Sequence, residues 1–361
     1  MGELVGYHGD IRKSENLPVS LKTPLRIVSI GGGTGLATLL HGLKQFADPK
    51  LSRSAIPGNS KQLIDITAIV TVSDDGGSSG RLRREFDVLP PGDIRNCMVA
   101  LSEDEGLLSR LFQYRFPAGR GLKGHSFGNL FLTALSNITG DFPKAVRVTS
   151  EVLAIAGQIL PSTATNVVLE AVLDDGSVVT GETTISKSRK PIRRVRLVPR
   201  HCRPLQATLD AIAKADLITF GPGSLYTSVI PNLLVSGIPL AIRLSPAPKV
   251  YFMNLMWQPG ETMNFKASDH VRALFEHAGH NFLDYVAVNT HPIRPALKRK
   301  YASTSAQPVE NDLEQLGKFK LGVIEGDLLE QSDRIRHNPA AIAQVAVRLA
   351  SQAHPGRISI R

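Results

Sequence analysis

The stretch LRIVSIGGGTGLATLLHGLKQF at residues 25–46 decides the fold. Its first six residues, 25–30, are mostly apolar and rich in β-branched residues without strict alternation, which is typical of a strand buried on both faces. A glycine turn, GGGTG at 31–35, interrupts that pattern. Strand, glycine turn and helix in this order predict the opening of a parallel α/β sheet. The helix is predicted from apolar residues at helical spacing, which are Leu36, Leu39, Leu40, Leu43 and Phe46.

The same rhythm continues along the chain. A second buried strand, ITAIVTV at 66–72, runs into SDDGGSSG at 73–80. Asp141 with Pro143 predicts the start of another helix. We expect an α/β three-layer sandwich with a mostly parallel sheet. Later strands are predicted at DLITF (216–220), PLAIRL (239–244) and DYVAVN (284–289), and later helices at 204–214, at 268–278 and from Asn338 onwards.

One part of the chain departs from this rhythm. Residues 166–185 alternate around a tight Asp-Asp-Gly turn, which indicates a β-hairpin. We therefore predict one large α/β domain over 25–350 with a β-hairpin insertion at about 162–203. Residues 1–24 are predicted to be a mobile arm and 351–361 a C-terminal tail.

Composition narrows the class of protein. The chain has 361 residues, of which 42% are hydrophobic and 20% charged, so a globular protein is expected rather than a disordered one. Its two cysteines, Cys97 and Cys202, cannot build a disulfide framework. No apolar run reaches the roughly 18 residues that a membrane-spanning helix needs. We expect a cytoplasmic protein without membrane insertion. Such a protein could form a homo-oligomer.

The formal net charge of +10 is concentrated in one segment. Residues 187–203 contain eight lysines and arginines and no acid, and without them the net charge falls from +10 to +2. Proteins that read single-stranded nucleic acid usually interleave aromatic residues for base stacking, and this segment has none. A solvated basic surface, a contact for an acidic protein partner or other anion, and nucleic acid remain the alternatives, with nucleic acid the least favoured.

Three unusual loops follow predicted strands and are candidates for ligand binding. In a parallel sheet, ligands bind at the carboxyl ends of the strands, and glycine lets the backbone approach a phosphate closely. A tight strand-to-helix turn is the alternative for any single loop. The candidate residues are Gly32, Gly33, Thr34 and Gly35, then Asp74, Asp75, Ser78 and Ser79, then Gly221, Gly223 and Ser224.

The first loop matches neither standard phosphate motif. The dinucleotide fingerprint needs a third glycine, but Leu36 stands there after Gly31 and Gly33. The nucleoside-triphosphate loop needs a lysine, which GGGTGLAT lacks. A dinucleotide-dependent oxidoreductase is therefore not favoured.

Two further motifs supply charged and polar candidates. Asp74 and Asp75 could bind a divalent cation such as Mg²⁺ or a ribose or sugar hydroxyl, with a turn role as the alternative. PPGDIRN at 90–96 places Asp93, Arg95 and Asn96 in a predicted loop, where Arg95 is suited to clamp an anion and Asp93 could instead cap a helix.

The segment GHSFGN at 124–129 contains the G-x-S-x-G pattern of a hydrolase nucleophile elbow. No apolar strand precedes it, which argues against a hydrolase. We predict instead that His125, Ser126 and Asn129 open a helix and offer hydrogen-bonding groups to a ligand.

Together these blocks resemble one family along residues 25 to about 290. The blocks are LRIVSIGGGTGL, ITAIVTVSDDGGSSGRLR, PPGDIRN, GHSFGNLFLTAL, VTGETTI, GPGSLYTSVIPNLLV, QPGET and SDHVRAL. The chain resembles the gluconeogenesis factors, bacterial relatives of 2-phospho-L-lactate transferase. The resemblance implies a Rossmann-like fold and, for this branch, binding of UDP-sugars such as UDP-N-acetylglucosamine in support of cell shape and of growth on gluconeogenic carbon sources.

By position, the resemblance implies a role for each candidate loop. Gly32 to Gly35 would face the ligand phosphates, and Asp74 and Asp75 would meet the ribose, the sugar or a metal. Asn96 and the GHSFGN residues would line the pocket, and Gly221 to Ser224 would close it.

Three functions stay open at this point. The first is a regulatory UDP-sugar-binding protein, which the scarcity of an evident acid, base and nucleophile favours. The second is a metal-assisted transferase of phosphorus-containing groups, because such chemistry needs mainly positioning and charge neutralisation. The third is a scaffold that works through partners alone.

Overall fold

A computed structural model describes residues 19–21, 23–47, 63–103, 106–354 and 358–360. The strands are β1 Val19–Leu21, β2 Leu25–Gly31, β3 Ile64–Val70, β4 Gln158–Pro161, β5 Val168–Leu173, β6 Val178–Thr180, β7 Ile192–Val198, β8 Leu217–Phe220, β9 Lys249–Phe252, β10 Tyr285–Asn289, β11 Gly322–Gly326, β12 Leu329–Gln331, β13 Ile335–His337 and β14 Ile358–Ile360.

The helices alternate with these strands through most of the chain. They are α1 Gly33–Ala47, α2 Gly77–Phe86, α3 Gly92–Leu101, α4 Leu107–Gln113, α5 Phe127–Thr139, α6 Phe142–Val152, α7 Glu182–Lys187, α8 Gln206–Lys214, α9 Ile230–Leu233, α10 Ile238–Leu244, α11 Ala267–Ala278, α12 Pro295–Ala302, α13 Leu313–Gly317 and α14 Pro339–Ala353, with a π-helical turn at Leu225–Val229 directly before α9.

Seven parallel strands form the central sheet, in the spatial order β11-β10-β9-β8-β2-β3-β4. The chain builds outward from β2 through β3 to β4, and later outward on the other side from β8 to β11. Strand order therefore reverses between β2 and β8, and a crevice opens there at the carboxyl ends of the strands. The predicted α/β three-layer fold is confirmed.

The core lies against β2 and α1, as the sequence pattern predicts. Leu36, Leu39, Leu40 and Leu43 are fully buried, and so are Ile27 and Ile30. The apolar stripe of α1 therefore covers one face of the sheet at its centre.

The insertion is a three-stranded antiparallel sheet in the order β6-β5-β7. The predicted hairpin corresponds to β5 and β6. The assignment of residues 182–185 to its second strand is wrong, because Gly181 adopts φ +91° and ends β6, after which Glu182 begins α7. An acidic residue in the first turn favours a helix start through the helix dipole.

The predicted strand PLAIRL is wrong, because residues 238–244 form α10. Pro239 lies in the first turn of this helix, where proline is tolerated. Ile238 and Ile242, four residues apart, are buried, whereas Leu240 and Leu244 are exposed. This is helical spacing, and the strand of this part of the sheet is β9, which begins five residues after the end of α10.

The two ends of the described chain pair with each other. β1 and β14 form an antiparallel pair, with Val19 opposite Ile360. The remainder of the predicted arm, residues 1–18 and 22, lies outside the described residues. Among the described residues, no single helix has the length and apolar character to cross a membrane; one pair, Leu225–Leu233 with Ile238–Leu244, meets that test only jointly and is bent by 75°.

Helix α1 contacts α14 at a glycine. A Cβ on Gly42 would overlap the carbonyl oxygen of Pro339 and lie 2.9 Å from Ala343 Cβ. The two helices can approach this closely only because residue 42 has no side chain.

We expect Gly42→Ala to lower the free energy of unfolding by about 1–3 kcal/mol, because overpacking at a helix contact forces backbone shifts. Urea denaturation monitored by circular dichroism measures this. The matched control is Gly317→Ala in α13, where an added Cβ meets nothing within 4 Å. That variant should be neutral or up to about 1 kcal/mol more stable, through helix propensity alone. Equal destabilisation of both variants would contradict the packing argument.

Candidate functional site

The first and third glycine loops meet at the crevice between β2 and β8. A Cβ on Gly35 would overlap the carbonyl oxygen of Pro222 and lie 2.8 Å from the Cα of Gly223. The backbone N–H of Gly221 donates a hydrogen bond to the carbonyl of Ile30, at 3.0 Å. These glycines therefore serve the close approach of two loops, in addition to any contact with a ligand.

The second glycine loop opens a cavity of about 250 Å³ beside this crevice. Its wall combines backbone at glycines, two hydroxyls, two amides, two carboxylates and two guanidinium groups. The lining residues are Asp74, Gly76, Gly77, Ser78, Ser79, Gly92, Asp93, Arg95, Asn96, Arg115 and Asn129. Six of the predicted site residues are thus brought together here: Asp74, Ser78, Ser79, Arg95, Asn96 and Asn129.

Arg95 reaches the cavity from a helix. The prediction that Asp93, Arg95 and Asn96 lie in a loop is wrong, since they belong to the first turns of α3. The buried residues Ile94, Met98 and Leu101 explain this, because they repeat at helical spacing.

The Arg95 side chain passes close to α5 on its way to the cavity. It is 9% exposed, and its Nη2 donates to Asn96 Oδ1 at 2.6 Å. A Cβ on Gly128 would lie 2.9 Å from Arg95 Cδ, so the second glycine of GHSFGN leaves room for the arginine.

Two buried polar atoms at the cavity have no hydrogen-bond partner within the described part of the chain. They are Arg95 Nε and Asn129 Oδ1, and Asn129 is only 2% exposed. Leaving such atoms unpaired costs about 1–3 kcal/mol each. Both atoms belong to residues that line the cavity.

His125 and Ser126 do not line the cavity but contact residues that do. His125 Nδ1 lies 3.0 Å from Ser78 Oγ, and burial lowers the pKa of this histidine. Ser126 is fully buried and caps α5, where its Oγ accepts the N–H of Asn129 at 3.3 Å. GHSFGN does open a helix, as predicted, and its serine is no exposed nucleophile.

Two acids, Asp74 and Asp93, line the cavity, and a third, Glu182, is close enough to be affected by their charges. Burial, together with the charge of Asp74, raises the pKa of Asp93 to about 7. Burial and the charges of Asp93 and Asp74 raise the pKa of Glu182 to about 10. Burial also raises the pKa of Asp74, although the N–H of Gly76 donates to its Oδ1 at 2.8 Å.

These acids do not form a cage for a cation. No group of three or more His, Cys, Asp or Glu side chains could hold a metal ion in the part of the chain that the structure describes. A Mg²⁺ ion prefers octahedral oxygen ligands and often binds through substrate phosphates with one or two carboxylates. A requirement for Mg²⁺ stays a prediction, and Asp74 is the carboxylate at the cavity that could contribute to it.

The remaining predicted residues lie around the cavity without lining it. Asp75 contacts the insertion through Thr183, and Ser224 Oγ accepts a hydrogen bond from Gln258 Nε2 at 2.6 Å. Thr34 is exposed on the first turn of α1. Of the glycines, Gly32 lies next to Asp93 and the N–H of Gly33 donates to that carboxylate, whereas Gly35, Gly221 and Gly223 form the loop contact described above.

The loop after β8 continues into the π-helical turn. The Nδ2 group of the buried Asn232 approaches three carbonyl oxygens, those of Ser228, Val229 and Gly31, at 2.9, 3.3 and 3.2 Å. One side chain thus joins this turn to the end of β2.

Sequence reasoning missed three contributors to the site. A Cβ on Gly92 would overlap Ser79 Oγ, and this position lies within the quoted PPGDIRN motif. Glu182 lies within VTGETTI, a block used above only for the family resemblance. Arg115 is exposed at the rim of the cavity and carries no signal in the sequence.

The family follows from a comparison of the whole chain. The sequence profile of 2-phospho-L-lactate transferase CofD matches residues 27–329. The chain belongs to the CofD family. This confirms the resemblance drawn from the motifs.

Within the CofD family, this chain is similar to proteins called gluconeogenesis factors. Those of Halalkalibacterium halodurans and Bacillus subtilis are each 48% identical to it, over 88% and 91% of this chain and 94% and 98% of their own lengths. A crystal structure of a protein from Bacillus halodurans matches with a TM-score of 0.84 at 47% identity, and covers 90% of this chain and 100% of that one. The fold of the CofD family thus extends over nearly all of this chain.

We expect Asp93→Asn to change how stability depends on pH. The pKa of this carboxyl is raised to about 7 in the folded protein, from an ordinary value of 3.8, so the folded state binds the proton more tightly than the unfolded chain. Its contribution to stability is therefore largest below about pH 4 and is lost as the pH rises towards 7. The asparagine variant has no such proton to lose, so its free energy of unfolding relative to the wild type should increase over that range and then level off.

Chemical denaturation at a series of pH values measures this difference. Glu151→Gln, at an exposed position on α6, is the control and should follow the wild type throughout. A constant difference between Asp93→Asn and the wild type from about pH 4 to 8 would show that the carboxyl titrates alike in both states.

Proposed function

We propose that this protein is a cytoplasmic regulatory factor that binds a UDP-sugar, such as UDP-N-acetylglucosamine, and supports growth and cell shape on gluconeogenic carbon sources. One observation carries the binding part. A cavity at the strand ends combines an anion-binding guanidinium, glycine backbone and hydroxyls with two buried polar atoms that lack a partner among the described residues. The regulatory part rests on the similarity to gluconeogenesis factors.

The charged groups of both signs at the cavity suit the two parts of such a ligand. Arg95 and Arg115 lie where a phosphate would be held by charge-assisted hydrogen bonds. Asp74 and Asp93 lie where sugar or ribose hydroxyls would find acceptors. A cavity of about 250 Å³ is at the small end for ligand sites, so it would take one part of a nucleotide sugar, and the rest would extend along the glycine loops of the crevice.

A transferase is the second candidate, and the CofD family match favours it. In this function, the same cavity would position a nucleotide-activated phosphorus group while an alcohol attacks. Positioning and charge neutralisation supply most of the rate enhancement in such reactions, so a dedicated nucleophile is not required.

We expect the wild-type protein to bind UDP-N-acetylglucosamine saturably in isothermal titration, and Arg95→Gln to raise the Kd about 10-fold or more. Loss of a charge-assisted hydrogen bond to a phosphate removes about 1.5–3 kcal/mol of binding free energy. Arg147→Gln, on the exposed face of α6, is the matched control and should bind like the wild type. Each titration is run with and without Mg²⁺.

Phosphorus NMR of the same mixtures, with an added alcohol acceptor, separates the two candidates. Binding without any new phosphorus signal supports the regulatory factor. Product formation that Arg95→Gln abolishes supports the transferase instead. Absence of heat with the wild type would remove this ligand from consideration.

We also propose that the basic segment 187–203 contacts an acidic protein surface. Val172 pairs with Arg194 and Leu173 with Ile192, so Arg193 is an extra residue in β7 and forms a bulge. Both arginines are exposed as a result. Two neighbouring basic residues of the insertion already form ion pairs within it, Lys190 with Asp175 and Arg196 with Glu170.

We expect the double variant Arg193→Glu with Arg194→Glu to weaken binding of poly-L-glutamate about 5-fold or more at moderate salt, because two attractive charges become repulsive. Fluorescence anisotropy with labelled poly-L-glutamate measures this, and Arg147→Glu is the control. Tighter binding of a single-stranded oligonucleotide than of poly-L-glutamate would contradict an acidic protein partner and favour nucleic acid.

A further inference from the structure

The insertion reaches back to the site through its short helix α7. Gly181 precedes this helix with φ +91°, and a Cβ there would overlap Asp75 Oδ2. Only a glycine lets the carboxylate lie this close to the backbone at the start of α7.

Asp75 holds the first turn of α7 with one oxygen. Its Oδ1 accepts two hydrogen bonds from Thr183, one from the backbone N–H and one from Oγ1, both at 2.8 Å. Asp75 does not line the 250 Å³ cavity, although its neighbour Asp74 does. The two adjacent acids therefore have different surroundings and different roles.

The last turn of α7 is held by the loop that precedes α11. Ser186 Oγ donates to Glu261 Oε1 at 3.2 Å, and a Cβ on Gly260 would overlap the carbonyl oxygen of Ser186. Glu261 also accepts hydrogen bonds from Thr227 Oγ1 at 3.0 Å and from the N–H of Tyr226 at 3.2 Å. Helix α7 thus connects the loop after β3 with the π-helical turn after β8.

Glu182 lies next to the first of these attachments, between Gly181 and Thr183. Its Oε2 is buried and has no hydrogen-bond partner among the described residues. Glu182 does not line the 250 Å³ cavity itself, but it follows Gly181, whose backbone packs against Asp75, the neighbour of the cavity-lining Asp74. An open carboxyl oxygen beside that cavity can exchange hydrogen bonds with the hydroxyl or amide groups of a ligand.

We propose that Asp75 is a positioning residue. It holds α7 against the loop after β3 and towards the π-helical turn after β8, and it thereby presents Glu182 as a further ligand-contacting residue. This inference rests on the proposed function for the role of Glu182 and on contacts within the protein for the role of Asp75. It changes the assignment made from sequence, in which Asp75 itself meets the ligand or a metal.

The first experiment is amide hydrogen–deuterium exchange of the ligand-free protein over residues 181–187. Asp75→Ala removes both hydrogen bonds to Thr183, and exchange in this segment should rise about 10-fold or more. Asp75→Asn keeps the Oδ1 acceptor, and exchange should stay within about 3-fold of the wild type. Thr183→Val removes only the hydroxyl bond and should give an intermediate rise, which provides a second test if Asp75→Ala folds poorly.

The second experiment titrates the same variants with UDP-N-acetylglucosamine. Asp75→Ala should raise the Kd about 5-fold or more, and Asp75→Asn should bind nearly as the wild type does. Glu182→Ala should weaken binding about 5-fold or more while leaving exchange over the Thr183 amide unchanged. Glu182→Gln, which keeps a hydrogen-bonding end of the same size, should recover most of that loss.

The outcomes separate this inference from the proposed function. Unchanged exchange in both Asp75→Ala and Thr183→Val would overturn the positioning role. Loss of affinity in Asp75→Asn equal to that in Asp75→Ala, with normal exchange, would show that Asp75 contacts the ligand directly. Unchanged affinity in Glu182→Ala would overturn the ligand contact. If the wild type binds no UDP-N-acetylglucosamine, the role of Glu182 falls with the proposed function, whereas the exchange data still decide the role of Asp75.

Discussion

The site depends on the reversal of strand order between β2 and β8. Because β3 and β8 are the two neighbours of β2, the loops that follow β2, β3 and β8 lie side by side at the carboxyl ends of the strands. The contact between Gly35 and Pro222 then brings two of these loops together at backbone distance. A side chain at position 35 would separate the two halves of the sheet where their polar groups have to converge.

The site combines charges of both signs in a small volume. A buried guanidinium is costly unless it is paired, and Arg95 lies close to several carboxyl groups that share its desolvated surroundings. Burial disfavours the charged form of each acid, and the acids repel one another, so they hold their protons more tightly than usual. The cavity therefore offers a cationic donor and carboxyl oxygens close to one another.

Sequence patterns predict the strands and helices well, but they predict contacts between distant parts of the chain poorly. The strands β2 and β3, predicted at 25–30 and 66–72 and found at Leu25–Gly31 and Ile64–Val70, follow from local periodicity, which a single sequence displays directly. The apolar stripe of α1 follows from it as well. The segment PLAIRL was misassigned because a short apolar run fits a strand and a half-buried helix equally well. Two features of the structure identify a helix here. A proline lies in the first turn, and Ile238 and Ile242 are buried whereas Leu240 and Leu244 are exposed.

The candidate site shows the same division between local and long-range information. Glycines, serines and Asp74 could be assigned from their position after strands. The partner of Asp75 is 108 residues away in the chain, and no local pattern encodes a contact of that range. Glu182 has no local signal for a related reason, since it lies in the insertion, and a long-range contact between Asp75 and Thr183 brings that insertion to the loop after β3.

The π-helical turn after β8 has a consequence for how the family can vary in length. A turn of this kind accommodates one residue more than an α-helical turn over the same rise, and the residue is absorbed locally. The side-chain amide of Asn232 contacts the carbonyl oxygens of Ser228 and Val229 in this turn and that of Gly31 at the end of β2. Loss of one residue between β8 and α10 would remove the wider turn, and with it the position from which this asparagine reaches the central strand.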